Sequence, residues 1–270
     1  MTAYASVPSA LAATVVCPSC HATLAHVADG ARCEPCDVTY ASDRTCVDFV
    51  GSERDTPTGF APAMMHTPFL ARVYERFWRP CFMGMLSRGR PDFEREYALI
   101  RAALQAAEGQ TLVDLSCGPG LMGRRLASDR AYPWVVGIDL SAAMLSRCHA
   151  YSERERVENF PLLRADVGAL PLADASVAGV HAGAALHLWP DVPGALAEVG
   201  RVLSPGGVLV ATTLVYSSQR LVRRVESAFG AATQTRFFRR SELERGLREA
   251  GLRDVKLRRW RSLAMVTGIK

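Results

Sequence analysis

From about residue 95 onward, short apolar runs alternate with stretches of helical period. Leu112–Leu115, Trp134–Ile138, Pro161–Arg164, Val177–His181 and Val208–Thr213 are brief and largely apolar, as strands buried on both faces are. Between them, Gly120–Ala127, Ser141–Tyr151 and Asp191–Val202 carry apolar residues at helical spacing, with Ser141 a good N-cap. Strict alternation of this kind predicts a parallel sheet covered by helices on both faces, an α/β fold. The C-terminal end departs from it. A helix is expected over Ser241–Ala250, opened by a capping box (Ser241, Glu244) and stopped by Gly251. Asp254–Trp260 and Ser262–Gly268 then read as two strands with no room for a helix between them, hence an antiparallel hairpin. Tyr216–Phe237 reads as a helical insertion above the sheet edge, and Ser204–Gly207 as a turn.

Upstream, Leu70, Val73, Tyr74, Phe77, Trp78 and Cys81 recur at three- and four-residue spacing and predict an amphipathic helix over Pro68–Leu86. Pro91-Asp92 opens another, with Phe93, Tyr97, Ile100 and Leu104 on one face. Core packing is the default meaning of both stripes, and a cap over a ligand site is the functional one. The polar run from Gly51 to Pro62 reads as a linker. The expected organisation is a small ribbon over 1–50, a linker and helical cap over 51–108, and the main domain over 109–270.

Composition narrows the class. With 49% apolar and 22% charged residues in 270, the chain reads as an ordinary globular protein. No apolar run approaches the roughly 18–20 residues that span a bilayer. The opening sixteen residues hold no Lys or Arg, a poor signal or transit peptide, so a cytoplasmic location is expected. The net charge of +5 is uneven: Tyr216–Lys270 holds 14 Lys and Arg against 5 Asp and Glu. Such a surplus suits phosphates or, more ordinarily, the solvated faces of helices and edge strands.

Eight cysteines without a secretory signal argue for metal or catalytic use over disulfides. Cys17 and Cys20, then Cys33 and Cys36, form two C-x2-C knuckles twelve residues apart. Four thiolates so placed suit tetrahedral zinc and leave no open position, which predicts a structural site. The intervening residues fit a short hairpin turning at Asp29-Gly30. His21 and His26 are expected at the surface. Cys46, Cys81, Cys117 and Cys148 have no ligand spacing and read as apolar fillers.

The chemistry is expected at Thr111–Gly123, where a strand ending near Asp114 runs into a glycine-rich turn, Gly118-Pro-Gly120-Leu-Met-Gly123, and a helix. Bare backbone and free helical N–H groups there receive a ligand closely. Asp114, Asp139 and Asp166 close successive strands, and strand C-termini line the crevice of an open α/β sheet. Asp139 follows Gly118 by 21 residues, the spacing of an acid that binds ribose hydroxyls. Asp114 favours a ligand bearing an ammonium group, since it would repel a pyrophosphate.

DLSCGPG, GIDLSAAML, RADVGALPLADASVAGV and RVLSPGG together resemble the successive motifs of class I S-adenosylmethionine-dependent methyltransferases. The likeness implies a Rossmann-like seven-stranded sheet with a terminal antiparallel hairpin. It also implies that Asp114 lies by the methionine moiety, Gly118 and Gly120 let the cofactor pass, Asp139 holds the ribose diol, and Asp166 and Val167 meet the adenine. Leu140 and Met144 would pack around base and ribose. Ser116 stands where the family has its first loop glycine, and Ser116 and Cys117 read as small residues keeping the loop tight. A narrower likeness, carried by the knuckles, TPFLARVYERFWRP and HAGAALHLWPD, is to plastid and bacterial methyltransferases related to quinone-biosynthesis C-methyltransferases.

That resemblance implies methyl transfer to a small-molecule acceptor of phenol, enol, quinol or secondary-metabolite type. A weakly acidic acceptor needs a base, for which His187 is the candidate, with Trp189 shaping the pocket; a histidine bonding loop backbone is the alternative. His181 is expected to be structural. The alternative acceptor is ribosomal RNA, because zinc-ribbon guanine methyltransferases share the layout, although Cys36 stands where they usually have histidine.

Overall fold

In the computed structural model the described residues are 7–51, 67–73, 75, 79, 81, 84 and 92–270. From Ser52 on, the expected linker lies outside the described residues, and of the expected helix over Pro68–Leu86 the structure describes α1 (Pro68–Val73) and a few single positions.

The alternating apolar runs form β5 (Leu112–Leu115), β6 (Val135–Asp139), β7 (Leu162–Arg164), β8 (Val177–Ala182) and β9 (Leu203–Leu214). The C-terminal pair forms β10 (Arg253–Trp260) and β11 (Leu263–Ile269). Beside them lies β4 (Val47–Asp48), giving eight strands in the order β10-β11-β9-β8-β5-β6-β7-β4. The strands from β4 to β9 pair in parallel, and β11 runs antiparallel to both β9 and β10. The expected seven-stranded sheet is therefore present, with β4 added at one edge.

Helices cover both faces. On one side pack α2 (Phe93–Ala103), α3 (Leu121–Ala127) and α4 (Ala142–Glu155), through Ile100, Leu126 and Leu145. Asp92 caps α2 by accepting from Arg95 N at 2.9 Å, and Ser141 caps α4 by accepting from Met144 N at 3.3 Å. The other side holds α5 (Val192–Val202) and α7 (Arg240–Glu249), through Leu196, Val199, Leu243 and Leu247. Each such leucine or valine taken from water contributes about 2 kcal/mol. The insertion folds as α6 (Arg220–Thr233). No helix among the described residues is long and apolar enough to cross a membrane.

Two local expectations shift. The Ser204–Gly207 turn is instead part of β9, which bulges: Val177 pairs with Leu203 but Gly179 with Val208. Gly206, at φ +82°, bends the chain, and Gly206 N and Gly207 O bond to the main chain of Lys270 at 3.0 and 2.8 Å. α7 begins one residue early, because Phe238 is buried and bridged to Val215, which keeps the chain extended up to Arg239. The cap is therefore Glu242 Oε2 accepting from Arg239 N at 3.3 Å, while Glu244 pairs with Arg240 at 2.6 Å. Gly251, at φ +82°, ends the helix as expected.

The N-terminal ribbon is a three-stranded antiparallel sheet of β1 (Ala25–Val27), β2 (Gly30–Cys33) and β3 (Val38–Ala41). It shares the core of the main sheet: Leu11, Val15, Cys33 and Val47 belong to one buried cluster with Leu163, Leu170 and Leu172. Main-chain bonds join the two parts, from Val16 N to Pro171 O at 3.0 Å and from Ala173 N to Thr14 O at 2.8 Å.

Candidate functional site

The glycine loop joins β5 to α3 at the carboxyl ends of β5, β6 and β8. Ser116, where the resembled family has glycine, adopts a left-handed φ of +55°. Its hydroxyl accepts from Trp189 Nε1 at 3.0 Å, which ties the loop to the chain following β8. Cys117 N donates to Ile138 O at 3.0 Å, and Gly118 N donates to Asp139 Oδ2 at 2.7 Å. Asp139 Oδ1 accepts from Ser141 N at 2.8 Å, so this carboxylate orients both the loop and the start of α4. The two loop glycines differ. At Gly118 (φ +57°) a Cβ would meet nothing within 4 Å, whereas at Gly120 (φ +82°) it would lie 2.3 Å from Cys148 Sγ. Gly118 thus borders open space, and Gly120 packs against α4.

Asp114 and His181 are register partners on neighbouring parallel strands. Their side chains meet at 2.7 Å, Oδ1 to Nδ1, at 1% and 3% exposure. Asp114 Oδ2 and His181 Nε2 are buried with no hydrogen-bond partner among the described residues. Both side chains line a cavity of about 60 Å³ with Arg79, Glu96, Gly118 and Gly183. Arg79 forms an ion pair with the buried Glu96. From sequence His181 was expected to be structural, and this ion pair was not expected. One signal was legible: a histidine in an otherwise apolar strand must find a partner once buried.

The other expected residues follow from the strand ends. Leu140 O accepts from Arg164 Nε at 3.0 Å, and Met144 is buried in the first turn of α4. Asp166, just past β7, accepts from Gly168 N at 2.9 Å, and Val167 packs against the main cluster. A hydrogen bond to Cys148, together with burial, pushes the Cys117 thiol well up, so it is a neutral group in the loop. His187 is in a 3-10 turn, Leu186–Leu188, and is buried, with Nδ1 3.5 Å from Thr213 Oγ1. Burial alone pulls its pKa down to about 3, and it is not among the residues lining the cavity beside the glycine loop. A buried imidazole so hard to protonate takes up protons weakly.

The knuckles bring Cys17, Cys20, Cys33 and Cys36 together, with all four sulfurs within 4.8 Å of one another. Cys17 and Cys36 are 3.9 Å apart and Cys20 and Cys33 3.4 Å. Tetrahedral zinc with bonds near 2.3 Å sets such separations at about 3.8 Å. Hydrogen bonds from Cys20 and Cys33, with burial, push the Cys36 thiol up to about 12. Four crowded thiols resist losing all their protons unless a cation offsets the charge. The Tyr40 hydroxyl, 3.2 Å from Cys17 Sγ, supports the cluster from outside.

An open α/β sheet with an antiparallel end hairpin, carrying a glycine loop and acids at successive strand tips, defines a Rossmann-like methyltransferase fold. Residues 113–211 match the family described as a methyltransferase domain, and this match, the relatives and the fold support a class I S-adenosylmethionine-dependent methyltransferase. It is 36% identical over 224 residues to an uncharacterized chloroplastic methyltransferase of Arabidopsis thaliana, covering 75% of this chain and 62% of that protein. It is 35% identical over 111 residues to the 2-phytyl-1,4-naphtoquinone methyltransferase of Thermosynechococcus vestitus, covering 38% of this chain and 46% of that one. Among solved structures, phosphoethanolamine N-methyltransferase 2 of Haemonchus contortus superposes with a TM-score of 0.65 at 15% identity, over 86% of this chain and 64% of that one. The chain spans 62% and 54% of the length of two chloroplastic relatives from Arabidopsis thaliana.

Proposed function

We propose that this chain transfers a methyl group from S-adenosylmethionine to a small-molecule acceptor of phenol, enol or quinol type. The observation that carries the reading is the crevice at Gly118: open space over bare backbone, flanked by Asp139 and by the buried atoms Asp114 Oδ2 and His181 Nε2, which have no partner among the described residues. These residues fit an adenosine linked to an amino acid. The cofactor supplies an electrophilic methyl group on a sulfonium, and the protein's task is to orient the reactants and exclude water.

In this reading Gly118 and Gly120 admit the nucleoside and Asp139 meets the ribose diol. Both Asp139 oxygens accept backbone N–H groups, and a carboxylate oxygen takes more than one donor. Asp166 and Val167 border the adenine, Leu140 and Met144 flank base and ribose, and Asp114 lies toward the ammonium end. Ser116 and Cys117 keep the loop compact. The quinone methyltransferase among the relatives supports the acceptor class. The basic C-terminal residues that would favour RNA include Arg253, Arg258 and Arg259, exposed on the edge strand β10, where charge opposes edge-to-edge pairing. The four cysteines hold structural zinc, and a reducing compartment such as cytoplasm or plastid stroma suits them.

Calorimetry with S-adenosylhomocysteine tests the cofactor assignment. Wild type is expected to bind it, and Asp139→Ala to bind about 100-fold more weakly, the loss of two hydrogen bonds to a charged group. Undiminished binding by Asp139→Ala overturns the assignment.

A further inference from the structure

The polar cavity between β5, β8 and α2 contains more than the methyl-transfer reading requires of Asp114 alone. His181 donates or accepts at two ring nitrogens, and the fold decides which. Its Nδ1 lies 2.7 Å from Asp114 Oδ1, in a pair almost sealed from water. A carboxylate accepts only, so a neutral ring places its proton on Nδ1 and presents a lone pair at Nε2. That atom is buried, without a hydrogen-bond partner among the described residues, and lies beside Gly183, where a Cβ would approach it to 3.2 Å. Gly183 lines the same cavity. A buried acceptor left without a donor is costly, and the cavity is where a donor can enter.

Charge selects the donor. Among the described residues the cavity is bordered by Asp114 and Glu96, against the single cation Arg79, which Glu96 already engages. With a neutral imidazole the lining carries an excess of one negative charge, so a cation is favoured and a second carboxylate is not.

We propose that His181 is a specificity-determining residue for the cofactor: its Nε2, held in the acceptor tautomer by Asp114, receives a hydrogen bond from the α-ammonium group of the amino-acid half. The inference rests on the reading of the crevice as an S-adenosylmethionine site. It gives this imidazole a ligand-reading task instead of the structural one expected for it.

The test compares two ligands by calorimetry: S-adenosylhomocysteine, and its deaminated analogue in which hydrogen replaces the α-ammonium group. His181→Leu removes the acceptor. It is expected to weaken S-adenosylhomocysteine by about 10- to 100-fold, as a lost charge-assisted hydrogen bond does, and the deaminated analogue less than about threefold. His181→Asn, whose amide can donate to Asp114 and accept from the ligand, is expected to restore most of the difference. Equal weakening of both ligands, or of neither, overturns the role. Thermal unfolding of each variant identifies loss of fold, since the leucine leaves Asp114 without its partner. Nitrogen NMR of the wild-type imidazoles gives a readout that needs no stable variant. The Nε2 resonance of His181 is expected to move on adding S-adenosylhomocysteine and to stay in place with the deaminated analogue, and movement with both overturns the role. If wild type binds neither ligand, the cofactor reading itself fails, an outcome separate from binding both with no dependence on His181.

Discussion

The cysteine ribbon and the glycine-loop crevice are both small polar centres set against one apolar core, yet they are organised by opposite means. In the ribbon, four sulfurs converge within 4.8 Å, and little but short strands and a shared hydrophobic face holds them there. Its thiols repel one another's ionised forms, so the arrangement is only as stable as the ion that neutralises it. In the crevice, strand tips fixed by the parallel sheet do the positioning. Asp139 clamps Gly118, Trp189 clamps Ser116, and Asp114 and His181 face each other in register. A preorganised site of this sort keeps its shape without ligand, whereas a four-thiol knuckle is made by its ligand.

The sharpest way to break the comparison is to remove the metal proposed for the ribbon. Chelation, or Cys33→Ser at a fully buried sulfur, is expected to lower the melting temperature by about 10 °C. Losing several kcal/mol in a domain of this size moves the midpoint by about 2–4 °C per kcal/mol. Metal analysis of the purified protein should give one zinc per chain. A ribbon lacking zinc that melts where wild type does would make the cluster an ordinary set of thiols.

An ion pair leads from the ribbon toward the crevice. Asp48 of β4, in the chain leading from the ribbon, accepts from Arg164 Nη1 at 2.8 Å, and Arg164 Nε holds Leu140 O at 3.0 Å beside the start of α4. Arg164 is 5% exposed, so replacing its partner removes a largely buried charge-assisted bond. Asp48→Asn is expected to cost about 2 kcal/mol in stability and to weaken S-adenosylhomocysteine several-fold as Leu140 loosens. Calorimetry checks the second effect. Lost stability with unchanged affinity would mean that the ribbon braces the sheet without reaching the crevice.

How much of this contrast was legible in the sequence depends on the range of the interaction. The knuckles, the alternation of β5 to β9, the Ser141 cap and the terminal hairpin are written in neighbouring residues, where spacing alone constrains geometry. β3 and β4 were not expected, since Val38–Ala41 and Val47–Asp48 are too short to show a period and exist only by pairing with β2 and β7. The Asp114–His181 pair spans 67 residues and depends on which strands are neighbours and in what register. No local pattern carries that. Ser116 was legible as a small residue in a tight loop, but its bond to Trp189 arises only when the chain beyond β8 folds back over the loop.

His187 separates the contrast by pH. Burial holds it near 3, while the unfolded chain binds its proton near 6.5. Between those values the unfolded state carries the extra proton, so this residue makes stability fall as pH drops from 6.5 toward 3. At neutral pH both states are deprotonated and the contribution vanishes. At pH 5 it reaches about 2 kcal/mol. His187→Gln is expected to flatten that part of the acid limb, read from denaturant titrations of both proteins across the range. An unchanged acid limb would show that the imidazole reaches water and can serve a substrate as a base.

The smallest effect falls on the loop itself. Ser116 holds φ at +55°, a conformation that costs a residue with a Cβ about 1–2 kcal/mol, and its hydroxyl recovers part of this by accepting from Trp189. Two substitutions separate these terms. Ser116→Ala keeps the strain and loses the bond, and is expected to destabilise by about 1 kcal/mol. Ser116→Gly loses the same bond but relieves the backbone, so it is expected to fall within about 0.5 kcal/mol of wild type. Equilibrium unfolding resolves a difference of this size when the two variants share one slope. The ribbon has a counterpart in Asp37, at φ +53° just after Cys36, where Asp37→Gly should likewise relieve strain. If glycine is favourable at Asp37 but alanine and glycine are equally poor at Ser116, backbone strain is not what sets the crevice loop, and the Trp189 bond alone holds it closed.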